Sequence, residues 1–242
     1  MTAETSASPV RNGLAVAWDV IIAPRDAFTS LREHPQWLVA FVVVCVFGTI
    51  GAFLQTPAGV HIAQATVQNM IATDPNIASM SSEKQQNLIN QSMAIQRWVW
   101  VAYPLIVLFG VLISSVVLLI ANAIGRGAAN FARLWALAMH VGIISLGLAY
   151  LYIGVIVAFR GGDSFNTQTD LLAVLPSLAW LAPGASPKLA AFLSNISVFS
   201  IWALWLIALG MTIVANVKRN VAIGTSVALF LISALFSTAF AR

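Results

Sequence analysis

Five runs of this chain, at about 37–56, 99–123, 134–159, 197–216 and 221–240, contain no Asp, Glu, Lys or Arg. A helix of about 20 residues rises roughly 30 Å, the thickness of a bilayer's hydrocarbon. The last two runs are joined by Asn216-Val217-Lys218-Arg219-Asn220. A connection that short turns two such helices only at a membrane face. The pattern predicts an all-α integral membrane bundle of five transmembrane helices, with short amphipathic helices at both faces.

Between the runs the periodicity is weaker and more local. Residues 1–12 read as a disordered tail, small and polar with no period. Residues 13–36 read as a cytoplasmic amphipathic segment. Leu14, Ala17, Trp18, Ile21 and Ile22 fall at helical spacing, with Asp19 expected on another face. Pro24 then suits the first position of a second helix, whose Ala27, Phe28 and Leu31 oppose Arg25, Asp26 and Arg32. Both helices are too short to span, so they either lie in the headgroup boundary or pack under the bundle. Trp37 opens the first span, and Pro57-Ala58-Gly59 breaks or bends it.

Two long connections, 58–97 and 160–196, fall on the opposite side. In the first, a stripe through Val60, Ala63, Val67, Met70 and Ile71 stops at Thr73-Asp74-Pro75. Ser82-Glu83-Lys84-Gln85 has the form of a capping box, opening a helix that runs on into the second span. Trp98, Trp100 and Tyr103 are expected to form an aromatic belt there. In the second connection an apolar stretch is broken by Pro176, and Ser186-Pro187 suits a helix start.

Composition agrees: 60% of residues are hydrophobic and 8% charged, against roughly a quarter charged in soluble domains. The net charge of +4 sits in short loops rather than in a basic stripe, which argues against nucleic-acid binding. Arg11, Arg25, Arg32, Arg126, Arg133, Lys218 and Arg219 fall on one side; Lys84, Arg97, Arg160, Lys188 and Arg242 fall on the other. The denser set marks the cytoplasm, so the N-terminus is expected inside the cell (inner) membrane and the C-terminus outside. The polar first 36 residues predict no cleaved signal peptide. Cys45 is the lone cysteine, which removes an intrachain disulfide and a Cys/His metal site.

Little in the chain carries chemistry. His140 is the one titratable side chain within the charge-free runs to mark a candidate intramembrane site, with Ser114, Ser115 and Ser200 as polar companions. The competing reading is a neutral histidine bonded to a nearby carbonyl. Arg133, His140, Gly147 and Gly154 recur every seven residues and share a helix face. Small-residue pairs at Gly48/Ala52, Gly110/Ser114 and Gly224/Ala228 suit close packing within the chain or a homo-oligomer. Nucleophile elbow, zincin and P-loop patterns are missing, and so are acidic pairs at membrane depth. No catalytic, metal or cofactor site is expected.

Pro24-Arg25-Asp26-Ala27-Phe28, Leu31, Pro35 and Trp37 begin a resemblance to the Yip family in its prokaryotic branch. Asn130-Phe131-Ala132-Arg133-Leu134 and Val198-Phe199-Ser200-Ile201-Trp202 with Leu206, Ala208, Leu209 and Gly210 continue it. The resemblance covers about residues 15–240. It implies five spans, a cytoplasmic N-terminus and a role in membrane organisation. Eukaryotic members bind prenylated small GTPases. This chain lacks a long acidic or aromatic-rich arm for that purpose. The leading expectation is a non-enzymatic scaffold or adaptor that recruits a protein partner through Trp18, Arg25, Phe28 and Leu31. The alternative is a small-solute or lipid transporter with a path along Ser114, Ser115, His140 and Ser200.

Overall fold

The computed structural model describes residues 11–240; most of the tail 1–12 lies outside them. Two short helices, α1 (Gly13–Ile22) and α2 (Pro24–Glu33), lead into α3 (Leu38–Leu54). Asn12 caps α1 by accepting the Leu14 N–H, and Pro24 occupies the first turn of α2. Val16, Val20, Phe28 and Leu31 are fully buried in the same core as Val44, Val107, Leu134 and Leu206. The two helices are thus built into the bundle. Asp19 does not face away, as its spacing suggested. It is buried and paired with Arg11 at 2.5 Å, while Leu14, Trp18 and Ile22 form the exposed row. An outward apolar row of that kind suits the headgroup boundary.

At Pro57 the chain bends by 53° between α3 and α4 (Thr56–Thr73). Proline at the start of α4 leaves no N–H to continue the α3 ladder. After α5 (Pro75–Ala78), α6 (Ser82–Ile124) runs 43 residues without a break, about 65 Å. Its first turns pack back along α4 as a helical hairpin. The expected capping box does not form. Ser82 is already helical, Ser81 takes the cap position with no side-chain bond, and Gln85 Nε2 donates instead to the carbonyls of Ile77, Ala78 and Met80. The tight α5 turn presents three carbonyls within reach of one amide, so the amide serves them rather than the helix start.

The next column comprises α7 (Phe131–Gly142), a π-helical segment (Ile143–Leu148) and α8 (Ala149–Arg160). The second connection carries α9 (Gln168–Leu172) and α10 (Pro187–Ser194), with Ser186 accepting the Leu189 N–H as the pattern predicts. Leu178 N–H donates to Ile196 and Val198 N–H to Pro176, which ties the Pro176 break to the start of α11 (Val198–Val214). Asn216, with φ 54°, makes the turn into α12 (Arg219–Phe240); Asn tolerates the left-handed region better than most residues.

Among the described residues, three helical columns are long and apolar enough to cross a membrane, and four if the bent α3–α4 pair is one span. The turns at 125–130 and 215–219 meet at one end of the bundle, here the basic-turn end. Asn122 Nδ2 donates to the Ala129 carbonyl at 3.0 Å, Ala129 N–H donates back to Asn122 Oδ1, and Ala128 N–H donates to Ala215 at 2.8 Å. A Cβ on Gly127 would collide with Asn122 and the Ala215 carbonyl, so glycine is required there by close approach. The other end carries the α4–α6 hairpin and a second apolar cluster through Ile62, Ile153, Phe165 and Leu171.

Candidate functional site

The α7–α8 column has two unlike flanks. On one, a Cβ on Gly154 would strike the Gly51 backbone, and one on Gly51 would strike the Tyr150 backbone. Gly147 faces Val44 and Phe47. The recurring small residues of this column therefore meet α3 within the chain. The seam uses Gly51 rather than the expected Gly48/Ala52 pair. Gly48 instead makes room for the ring of Tyr103. That tyrosine is not part of an aromatic belt: it is 2% exposed, and its hydroxyl donates to the Leu146 carbonyl at 2.6 Å. A π turn displaces carbonyls from their regular partners, and the phenol satisfies this one. Trp98 and Trp100 do stack at the rim.

The other flank is hollow. A cavity of about 240 Å³ lies between α6, α7, α11 and α12, and touches Gly110, Ser114, Val141, Ser145, Ile207 and Phe230. A second, of about 430 Å³, continues from it toward the hairpin end. The two share Ser145, Leu146, Asn195, Ser200 and Ser233. A third, of about 180 Å³, adjoins the second at Gln55, Tyr150 and Gln168. Through these shared residues the three half-open cavities lie end to end as a chamber that starts near the hairpin end and reaches the middle of the bundle. Among the described residues, none that lines it is charged. The bonded turns of Asn122, Ala128 and Ala215 lie beyond its deep end.

Asn195 is the hub of the chamber's polar section. It ends α10, where its Nδ2 donates to the Ala191 carbonyl and, at 2.5 Å, to Ser237 Oγ; its Oδ1 accepts from Ser233 at 3.3 Å. Its backbone carbonyl accepts Ser200 Oγ, which also accepts from Ser197 N–H in a reciprocal capping box opening α11. Ser145 and Gln168 line the chamber, and their side chains make no hydrogen bond within the described residues.

The expected intramembrane group is only partly brought together. Ser114 and Ser200 line the chamber. Ser115 is buried beside it and bonds Val111 of its own helix at 2.7 Å. His140 is 1% exposed and lies off the chamber, because α7 presents Ala138, Val141 and Gly142 to it. Its Nδ1 lies 2.8 Å from the Ala136 carbonyl, and its Nε2 has no partner among the described residues. A proton on Nδ1 makes that bond and leaves a neutral ring. Of the expected partner-binding residues, Trp18 and Arg25 are exposed but Phe28 and Leu31 are in the core. Asn195, Ser145, Ser233 and Gln168 escaped the sequence reading: Ser145 and Ser233 lie in charge-free runs, whereas Asn195 and Gln168 lie in the second connection, and only the fold brings them together.

No family model matches the chain, and no solved structure matches it. It is similar to the membrane protein YknW of Bacillus subtilis (strain 168), at 22% identity over 219 residues, 90% of this chain and 86% of that one. With its apolar helical columns and that likeness, the chain is an integral membrane protein.

Proposed function

We propose that the chain is a five-span, non-enzymatic membrane protein of the Yip type that takes a small uncharged solute or lipid into the chamber. Its basic-turn end faces the cytoplasm and its C-terminus lies outside. The span that brings the count to five is α11, fourth in chain order and an apolar helix of 17 residues, at the lower edge of the range that crosses a bilayer. Arg25, Arg32, Arg126, Arg133, Lys218 and Arg219 support the orientation. One observation carries the functional reading: adjoining cavities of about 240 and 430 Å³, together within the size range of small-molecule sites, lined among the described residues by hydroxyls, amides, alkyl groups and a few aromatic rings, with no charge.

Cysteine accessibility tests it. In a Cys45→Ser background, Ser145→Cys and Ser233→Cys should react with a small membrane-impermeant thiol reagent added to the outside of intact cells. Ser115→Cys should not. Protection of all three from outside would reject an outward chamber.

A second reading, a scaffold or adaptor, draws on the exposed row Leu14, Trp18 and Ile22 beside Arg25. Deleting residues 14–34 would remove core side chains, so the proper test is Leu14→Ser with Trp18→Ser. Loss of a crosslinked partner with insertion intact supports the scaffold, and unchanged recovery opposes it.

A further inference from the structure

We infer that the occupant of the chamber is a neutral amphiphile with a hydroxylated head and a single alkyl chain, drawn from the bilayer. This rests on the chamber reading above and adds the chemistry of the ligand.

The chamber is divided along its length. Toward the hairpin end the lining is the more polar, with Asn195 bonded to Ser200, Ser233 and Ser237, and Ser145 and Gln168 nearby, set among Ile153, Leu172 and Leu175. Toward the middle of the bundle it becomes alkyl and aromatic, with Leu118, Val141, Leu204, Ile207, Leu229 and Phe230. A molecule that satisfies both sections has a polar head and an apolar tail, with the head held toward the hairpin end.

Charge decides the kind of head. With no Lys, Arg, Asp, Glu or His on the lining among the described residues, a phosphate or carboxylate would enter without a counter-ion. The desolvation of a lone ion at membrane depth would then go uncompensated. A hydroxylated head has no such cost and finds partners waiting. Ser145 Oγ and the Gln168 amide are unbonded within the described residues, and Asn195 Oδ1 accepts only the long bond from Ser233. A carboxamide oxygen has a second lone pair to offer.

Volume limits the tail. The deep cavity, about 240 Å³, is the space of about eight water molecules at liquid density. That accommodates a stretch of one alkyl chain rather than two side by side. Its wall at Gly110 is open, since a Cβ there would meet nothing within 4 Å.

The experiment uses the full chain in phosphatidylcholine vesicles and a monoacylglycerol carrying a diazirine in its tail. On irradiation the label should fall on peptides around Gly110–Leu118 and Leu229–Ser233. Gly110→Phe, which fills the deep section from an unobstructed position, should lower labelling at least tenfold. Ser145→Ala, whose hydroxyl holds nothing in the fold, should lower affinity roughly two- to tenfold, the worth of one hydrogen bond. It keeps the inference testable if the bulkier variant fails to insert. Monooleoylglycerol should compete, whereas lysophosphatidic acid with the same tail and free glycerol should not. Equal competition by the lysophosphatidic acid overturns the neutral head while leaving the chamber as a lipid site. Competition by glycerol alone overturns the tail and points to a soluble occupant. If these probes give no labelling or competition that Gly110→Phe abolishes, this inference falls; the chamber reading falls with it only if Ser145→Cys and Ser233→Cys are also protected from outside.

Discussion

The α7–α8 column is packed solid on the α3 side and hollow on the side of α6, α11 and α12. Glycine appears on both flanks with opposite meaning. Gly51 and Gly154 let two backbones touch, so their missing side chains are filled by a neighbour. Gly110 looks onto open space, so its missing side chain is part of a void. Lipid tails are as apolar as leucine, so helices in a bilayer hold together by close packing and hydrogen bonds rather than by escape from water. The α3 seam supplies the first of these. The hollow flank is held by the second, through Asn195 and its serines.

The largest effect should come from attacking the seam. Gly154→Leu drives a side chain into the Gly51 backbone and should cost about 1–3 kcal/mol or more, read as a lower midpoint in denaturing-detergent unfolding. Gly110→Leu, the same change on the hollow flank, should stay within about 1 kcal/mol and tend toward stabilisation, because leucine is the better helix former. Equal losses at the two sites would erase the contrast. Next comes Asn195→Leu, which leaves Ser233 and Ser237 without their partner. It should cost about 1–3 kcal/mol, with proteolysis opening first between α10 and α12.

His140→Leu should be milder. The lost bond to Ala136 is offset by removal of a buried nitrogen that has no partner, so the net change should lie within about 1 kcal/mol. A loss of several kcal/mol would mean that the ring holds something besides Ala136. Arg11→Ala breaks an ion pair whose arginine is 43% exposed but whose Asp19 is buried. Water in the arginine's place offsets part of the loss, so the change should cost about 1 kcal/mol, seen as fraying of α1 in hydrogen exchange while the seam stays protected.

Much of the scaffold was legible in the sequence. Charge-free runs locate the long helices, Pro57 marks the 53° bend, and Ser186-Pro187 opens α10. Helix faces were harder to read. A span that is apolar all round has no stripe to say which side meets a neighbour. Gly51 therefore could not be told from Gly48, and Tyr103 read as a rim residue although its hydroxyl reaches inward to Leu146. Asp19 misled for a related reason, since its partner Arg11 precedes the helix and is invisible to a helical period. The chamber was least legible. Serine hydroxyls such as those of Ser114 and Ser115 bond their own helix at i−4, so they are tolerated at any position. Only the fold shows which of them border empty space.

The neutrality of the chamber has an electrical consequence. A membrane potential of 100 mV acts on a unit charge with about 2.3 kcal/mol, yet among the described residues the lining offers no charge for that field to pull. An uncharged guest resting there would feel no voltage either. Its residence would be indifferent to whether the cell is energised.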